Sequence, residues 1–217
     1  MKKSNRYIYS VIILLFILIS TSNGQVKFIG GNFGYNLSKL DYKADIQELE
    51  FNYRNGIMCG LFIEYKLTNL FSIRSEVNYS MRGVEYKPNK VLGPVNEKYI
   101  YKLDYLEIPV FIQYKIIINN NLILPKIFFG PEISYLLSAV NKYINDDFSK
   151  VVSEKEKFKS VDYGIILGLG FDFNILMNRL SFDARYNHGL NNINKNSDIK
   201  INSHTVSFNL GYAFSIN

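Results

Sequence analysis

Two histidines, one cysteine and a glutamate two residues before a proline are the groups whose types and spacing invite a chemical role in this 217-residue chain. Ser203 adjoins His204, and Asp198 lies between His188 and His204. A histidine beside a hydroxyl and an acid is the equipment of nucleophilic hydrolysis, and paired imidazoles with a carboxylate are the beginning of a metal shell. Two histidines are too few to close such a shell alone. Glu107, in Tyr105-Leu106-Glu107-Ile108-Pro109-Val110, has no His or Ser within its motif to support catalysis, so it reads as structural, and Pro109 suits a bulge or kink. Cys59 lies on the apolar face of its segment and reads as a small hydrophobe. The chain shows no P-loop, zinc signature or nucleophile elbow. No catalytic, cofactor-binding or metal residue is therefore assigned, no cofactor is expected, and the expectation is a protein that is not an enzyme.

These groups must be carried by strands. After Gln25, period-2 alternation recurs and helical periodicity is nearly absent. Ile57, Cys59, Leu61, Ile63, Tyr65 and Leu67 share one face against Gly56, Met58, Gly60, Phe62, Glu64 and Lys66. In the last segment Val206, Phe208, Leu210, Tyr212, Phe214 and Ile216 oppose Thr205, Ser207, Asn209, Gly211, Ala213 and Ser215. About eight strands result: Val26–Leu37, Gly56–Leu67, Leu70–Lys87, Tyr99–Ile117, Leu122–Val140, Val161–Asn174, Arg179–Leu190 and His204–Ile216. Their connections alternate in length. Thr68-Asn69, Ile118 to Asn121 and Ile175 to Asn178 are short, whereas Ser38 to Asn55, Pro88 to Lys98, Asn141 to Ser160 and Asn191 to Ser203 are long and polar.

A soluble sandwich alternates too, but it has no reason to put every long loop at one end. Short turns at one end, long loops at the other and an even strand number describe an up-and-down membrane barrel. The polar faces agree, because they mix Gly60, Gly164, Gly168, Gly170 and Gly211 with charges of both signs. A narrow lumen needs small residues and paired charges. The expected fold is all-β: a transmembrane antiparallel β-barrel of about eight strands. Its lumen would hold Glu64, Lys66, Arg74, Glu76, Arg82, Glu107, Lys115, Glu132, Asp162, Asp172, Asp183 and Arg185. These charges should pair and plug a barrel of this size rather than line a pore.

The first residues bear on location. Lys2, Lys3 and Arg6 precede the apolar run Ile8–Ile19 and the small residues Ser22 and Gly24, the pattern of a secretory signal peptide. The expected division is a signal peptide over 1–24 and a barrel domain over 25–217. That segment holds three of the 25 basic residues and none of the 19 acids, so the remainder carries +3. No basic stripe is left for nucleic acid. One cysteine rules out a disulfide framework, and 47% hydrophobic residues rule out a disordered chain.

Several stretches resemble the PorT-like outer-membrane β-barrel family, small barrels of the OmpA/OmpX architecture in Gram-negative bacteria. They are Gly31-Asn32-Phe33-Gly34-Tyr35-Asn36-Leu37-Ser38, Ser72 to Gly83, Tyr105 to Val110, Phe129-Gly130-Pro131 and the closing Gly211-Tyr212 strand. The resemblance implies residence in the outer membrane as a barrel of about eight strands, and the alternating loop lengths add the expectation of periplasmic termini and extracellular long loops. Asn209 to Ile216 is also similar to the C-terminal signal read by the barrel-assembly machinery, although the chain ends in Asn217 rather than Phe. The implied partners are outer-membrane lipid, that machinery during biogenesis, and a surface protein or glycan at the loops, the barrel being a monomer. The loop Asn141 to Ser160 is the densest in charge, with Lys142, Asp146, Asp147, Lys150, Glu154, Lys155, Glu156, Lys157 and Lys159. The expected role is structural or partner-binding through such loops. A secretion-machine component, a small-solute channel and a lipid-modifying enzyme stand as alternatives.

Overall fold

Alternating side chains demand a surface with two different solvents, and the chain provides one by closing a sheet on itself. The computed structural model describes residues 25–43, 49–88, 98–117, 122–144, 149–195 and 200–216. Among them run nine strands: β1 Gln25–Lys43, β2 Leu49–Lys66, β3 Phe71–Pro88, β4 Lys98–Lys115, β5 Ile123–Ile144, β6 Ser149–Ser153, β7 Val161–Ile175, β8 Asn178–Gly189 and β9 Lys200–Ser215. Each pairs antiparallel with its neighbours, and β1 pairs with β9. Because β4 also pairs with β5, eight strands form a ring, with β6 attached to β5 outside it. The segment 1–24, and with it the expected signal peptide, lies outside the described residues.

The faces are inverted relative to a soluble protein. On β7 the outward Tyr163, Ile165, Leu167, Leu169 and Phe171 are exposed, while the inward Asp162 and Asp172 are buried. Exposed apolar bands around buried charges are stable only where lipid replaces water outside. Tyrosine and phenylalanine border the band, as at Phe71, Tyr114, Tyr186 and Tyr212, in the manner of interfacial girdles. Inside, small residues make room for large ones. A Cβ on Gly168 would lie 2.3 Å from the Phe128 ring, and one on Gly30 would lie 2.7 Å from the Phe62 ring.

Three expectations need correction. Strands run further than alternation shows: β1 continues to Lys43, β2 begins at Leu49 and β9 begins at Lys200. There the lumen turns apolar and the outer face polar, so the alternation changes phase, with Leu40 and Ile201 buried on strands whose apolar residues otherwise face outward, while the hydrogen-bond ladder continues. The segment Asn141 to Ser160 is not simply a loop, since β6 pairs Val151 with Lys142 and Val152 with Asn141. Finally, Pro109 makes no bulge. Ser75 opposite Val110 and Asn78 opposite Glu107 share one register on either side of it, and the irregularity of β4 against β5 falls at Asp104/Tyr105.

Candidate functional site

The inward faces of six of the eight ring strands bring together seven basic side chains (Arg54, Arg74, Arg82, Lys115, Lys126, Arg179, Arg185) and seven acidic ones (Glu64, Glu76, Glu107, Glu132, Asp162, Asp172, Asp183), all buried. The balance follows from desolvation. An unpaired ion in so dry a space costs several kcal/mol; twelve of these fourteen form ion pairs, while Arg54 donates to the Arg82 carbonyl and Asp162 accepts from the Tyr163 N–H. Near the short turns, Glu64 accepts from Lys115 at 2.6 Å and from Arg179 at 2.6 Å, and Arg179 reaches Asp172 at 3.0 Å. Lys126 bridges Asp172 at 2.6 Å and Asp183 at 2.8 Å. At mid-height Arg185 forks onto both oxygens of Glu76, at 2.8 and 3.0 Å, and Arg74 Nε lies 2.6 Å from Glu76. Toward the long loops, Arg82 holds Glu107 at 2.6 Å and Glu132 at 2.5 Å, while Asn187 and Ser134 also donate to Glu132.

Inward aromatic rings complete the filling. The Arg74 guanidinium lies 3.6 Å above the Phe62 ring and that of Arg179 lies 3.6 Å above Phe28. Arg185 faces Phe111 at 5.0 Å. A planar guanidinium can stack on a ring while its edge pairs with carboxylates.

Eleven of the twelve lumen charges named from sequence are buried inside. The exception is Lys66, which is exposed at the mouth beside the short turns, because β2 ends there. Sequence reasoning passed over Lys126 and Arg179, although both share inward parity with named lumen residues (Glu132 on β5, Asp183 on β8). It passed over Arg54 because that residue stood in an expected loop.

Above the ionic layers the lumen turns apolar. Leu40, Val84, Leu103, Tyr105, Leu136, Ala139 and Ile201, from the loop-side ends of five strands, form one buried cluster with Phe158 and Ile193 from the connections. Those two are drawn in by backbone pairing: Lys159 N donates to Ile193 O at 2.7 Å, Lys195 N to Lys157 O at 2.9 Å, and Ile193 N to Ile201 O at 2.9 Å. The sequence signal was slight, because Phe158 and Ile193 are each one of several apolar residues scattered through a polar segment, Phe158 beside Val151 and Val152, Ile193 beside Ile199 and Ile201.

The chemical candidates are not assembled. His188 and His204 point outward with ring centroids 4.7 Å apart, whereas Ser203 points into the barrel and is 1% exposed. Adjacent residues of one strand occupy opposite faces, so Ser203 cannot serve its neighbouring histidine. Asp198, Asp146 and Asp147 lie outside the described residues. Cys59 is exposed on the outer wall, and Glu107 belongs to the Arg82 network. Among the described residues no group of three or more His, Cys, Asp or Glu side chains is placed to hold a metal ion.

The family model of the "Outer membrane protein beta-barrel domain" matches residues 23–195. Solved structures similar to the chain include Ail, the attachment invasion locus protein of Yersinia pestis, at 16% identity, covering 88% of this chain and 100% of that one with a TM-score of 0.42. OprG from Pseudomonas aeruginosa is similar at 15% identity, covering 90% and 99% with a TM-score of 0.49. The outer membrane enzyme PagL is similar at 13% identity, covering 84% and 99% with a TM-score of 0.39. No curated protein matches the sequence. The chain belongs to the outer-membrane β-barrel family, and it is an outer-membrane protein.

Proposed function

We propose that this barrel is a closed, non-enzymatic outer-membrane protein that works through its loop end, with both termini periplasmic and the long connections extracellular. One observation carries the reading: the lumen is occupied at two levels, by a charge-balanced ionic network and by an apolar cluster into which Phe158 and Ile193 are folded. Eight strands enclose little more than their own side chains. With the interior committed, what is left for recognition is the outside of the loop end, where function on rigid barrels concentrates. The separation of Ser203 from His188 and His204 supports a role without hydrolysis.

Planar-bilayer recording of purified protein should show no stable conductance, and a large steady conductance would replace this reading with that of a channel. Photo-crosslinkers placed at Val151 and Lys155 in intact cells should capture a specific surface protein or glycan. Capture of a secretion-machine component would support the narrower PorT-like role. Altered membrane lipid that depends on His188 or His204 would sink the non-enzymatic reading.

A further inference from the structure

The outer wall changes character at one height on three neighbouring strands, and basic groups make the change. On β1 the outward residues run Phe33, Tyr35, Leu37 and then Lys39; on β9, Phe208, Val206 and then His204; on β8, Phe182, Ala184, Tyr186 and then His188. Strand register aligns them. Leu37 stands opposite Val206 and Val206 opposite Tyr186, and in the next row Lys39 stands opposite His204 and His204 opposite His188. An ammonium and two imidazoles thus form one row immediately loop-side of the apolar band.

Side chains opposite each other on neighbouring strands stand about 5 Å apart, so groups at the two ends of the row can reach one multi-oxygen anion. The row is held in place. The Tyr186 hydroxyl lies 3.1 Å from His204 Nδ1, and the Asp41 carboxylate lies 3.1 Å from His204 Nε2. Lys39, Asp41, Tyr53, Tyr186 and His204 line a recess open on the outside of the barrel. None of them takes part in the lumen network.

Cations and tyrosines at the edge of a lipid-facing band occupy the depth of headgroup phosphates. Charge accounting makes the site conditional. Asp41 offsets Lys39 while the imidazoles are neutral; protonation of His188 and His204 leaves the row positive. The flanking strands add no further charge there, since β7 offers Ile165 opposite His188 and β2 offers Tyr53. We propose that Lys39 and His188, with His204 held between them as a further charge, form an outer-wall site for the phosphate of an anionic lipid headgroup in the leaflet at the loop end, strengthened by acidity.

The test uses full-length protein in phosphatidylcholine nanodiscs containing a minor share of phosphatidylglycerol. Co-retained lipid is counted by native mass spectrometry at about pH 5.5 and about pH 8, on either side of ordinary imidazole titration. Each charged basic group should favour the anionic lipid about fivefold, so phosphatidylglycerol enrichment should rise at the lower pH. It should fall in the Lys39→Gln/His188→Gln variant. Should that variant fail to give the heat-modifiable mobility of a folded barrel, His188→Gln alone, at an exposed position, must still lose part of the acid-side gain. Equal retention of both lipids, pH-independent enrichment, or enrichment undiminished in a folded variant would each overturn the proposal. Complete displacement by inorganic phosphate would overturn the lipid as its ligand.

Discussion

Arg82 shows what a single buried charge does here. It is the counter-ion of both Glu107 and Glu132, so its removal would leave two carboxylates facing each other in a dry lumen. Arg82→Met should destabilise the barrel by about 3–5 kcal/mol, measured by equilibrium urea unfolding in lipid vesicles. Adding Glu107→Gln to that variant should recover part of the loss, because one orphaned charge is then gone. Gly168 makes a steric version of the same point, with the Phe128 ring in the space its side chain would fill. Gly168→Ala should cost about 1–3 kcal/mol, and less in a Phe128→Ala background, a coupling that a double-mutant cycle resolves. The inward parity of Arg82 and Gly168 is legible from their strands. Which carboxylate meets which guanidinium is not, since partners such as Arg185 and Glu76 lie 109 residues apart.

At the scale of elements, a strand announces itself in sequence only while its two faces meet different solvents. Gly56 to Leu67 does so, and its alternation marks most of β2; Leu49 to Tyr53 alternates too, with Leu49, Phe51 and Tyr53 against Glu50 and Asn52, but over too few residues to stand apart from the loop expected there, and it pairs with β3 in the same strand. β6 is the extreme case. All five of its residues are exposed, so it has no buried face to betray it, and it exists because β5 runs on to Ile144 and offers an edge. Replacing both Val151 and Val152 with Pro removes whichever of their N–H groups bonds β5. Those amides of 140–144 that bond β6 rather than β4 should then lose hydrogen-exchange protection. Unfolding of the ring should shift by less than about 0.5 kcal/mol, because exposed residues contribute little to it.

For the whole molecule, closure has two layers, and they should separate experimentally. Phe158→Ala with Ile193→Ala empties the centre of the apolar cluster at the loop end but leaves the ionic network near Arg82 and Glu132 intact. Exchange should accelerate in the segments around both residues while planar bilayers remain non-conducting. Current appearing in this variant would identify the apolar cluster, rather than the ion pairs, as the barrier.

Sequence alone determined that this is a barrel with a polar, charge-rich interior, because alternation and loop length are local properties imposed by lipid outside and a narrow lumen inside. Tertiary structure decided the rest. The pairing of inward charges, the burial of Phe158 and Ile193 from polar segments, and the row of Lys39, His204 and His188 depend on register between strands distant in the chain. Register sets which residues become neighbours across the ring, and no residue's own strand carries that information.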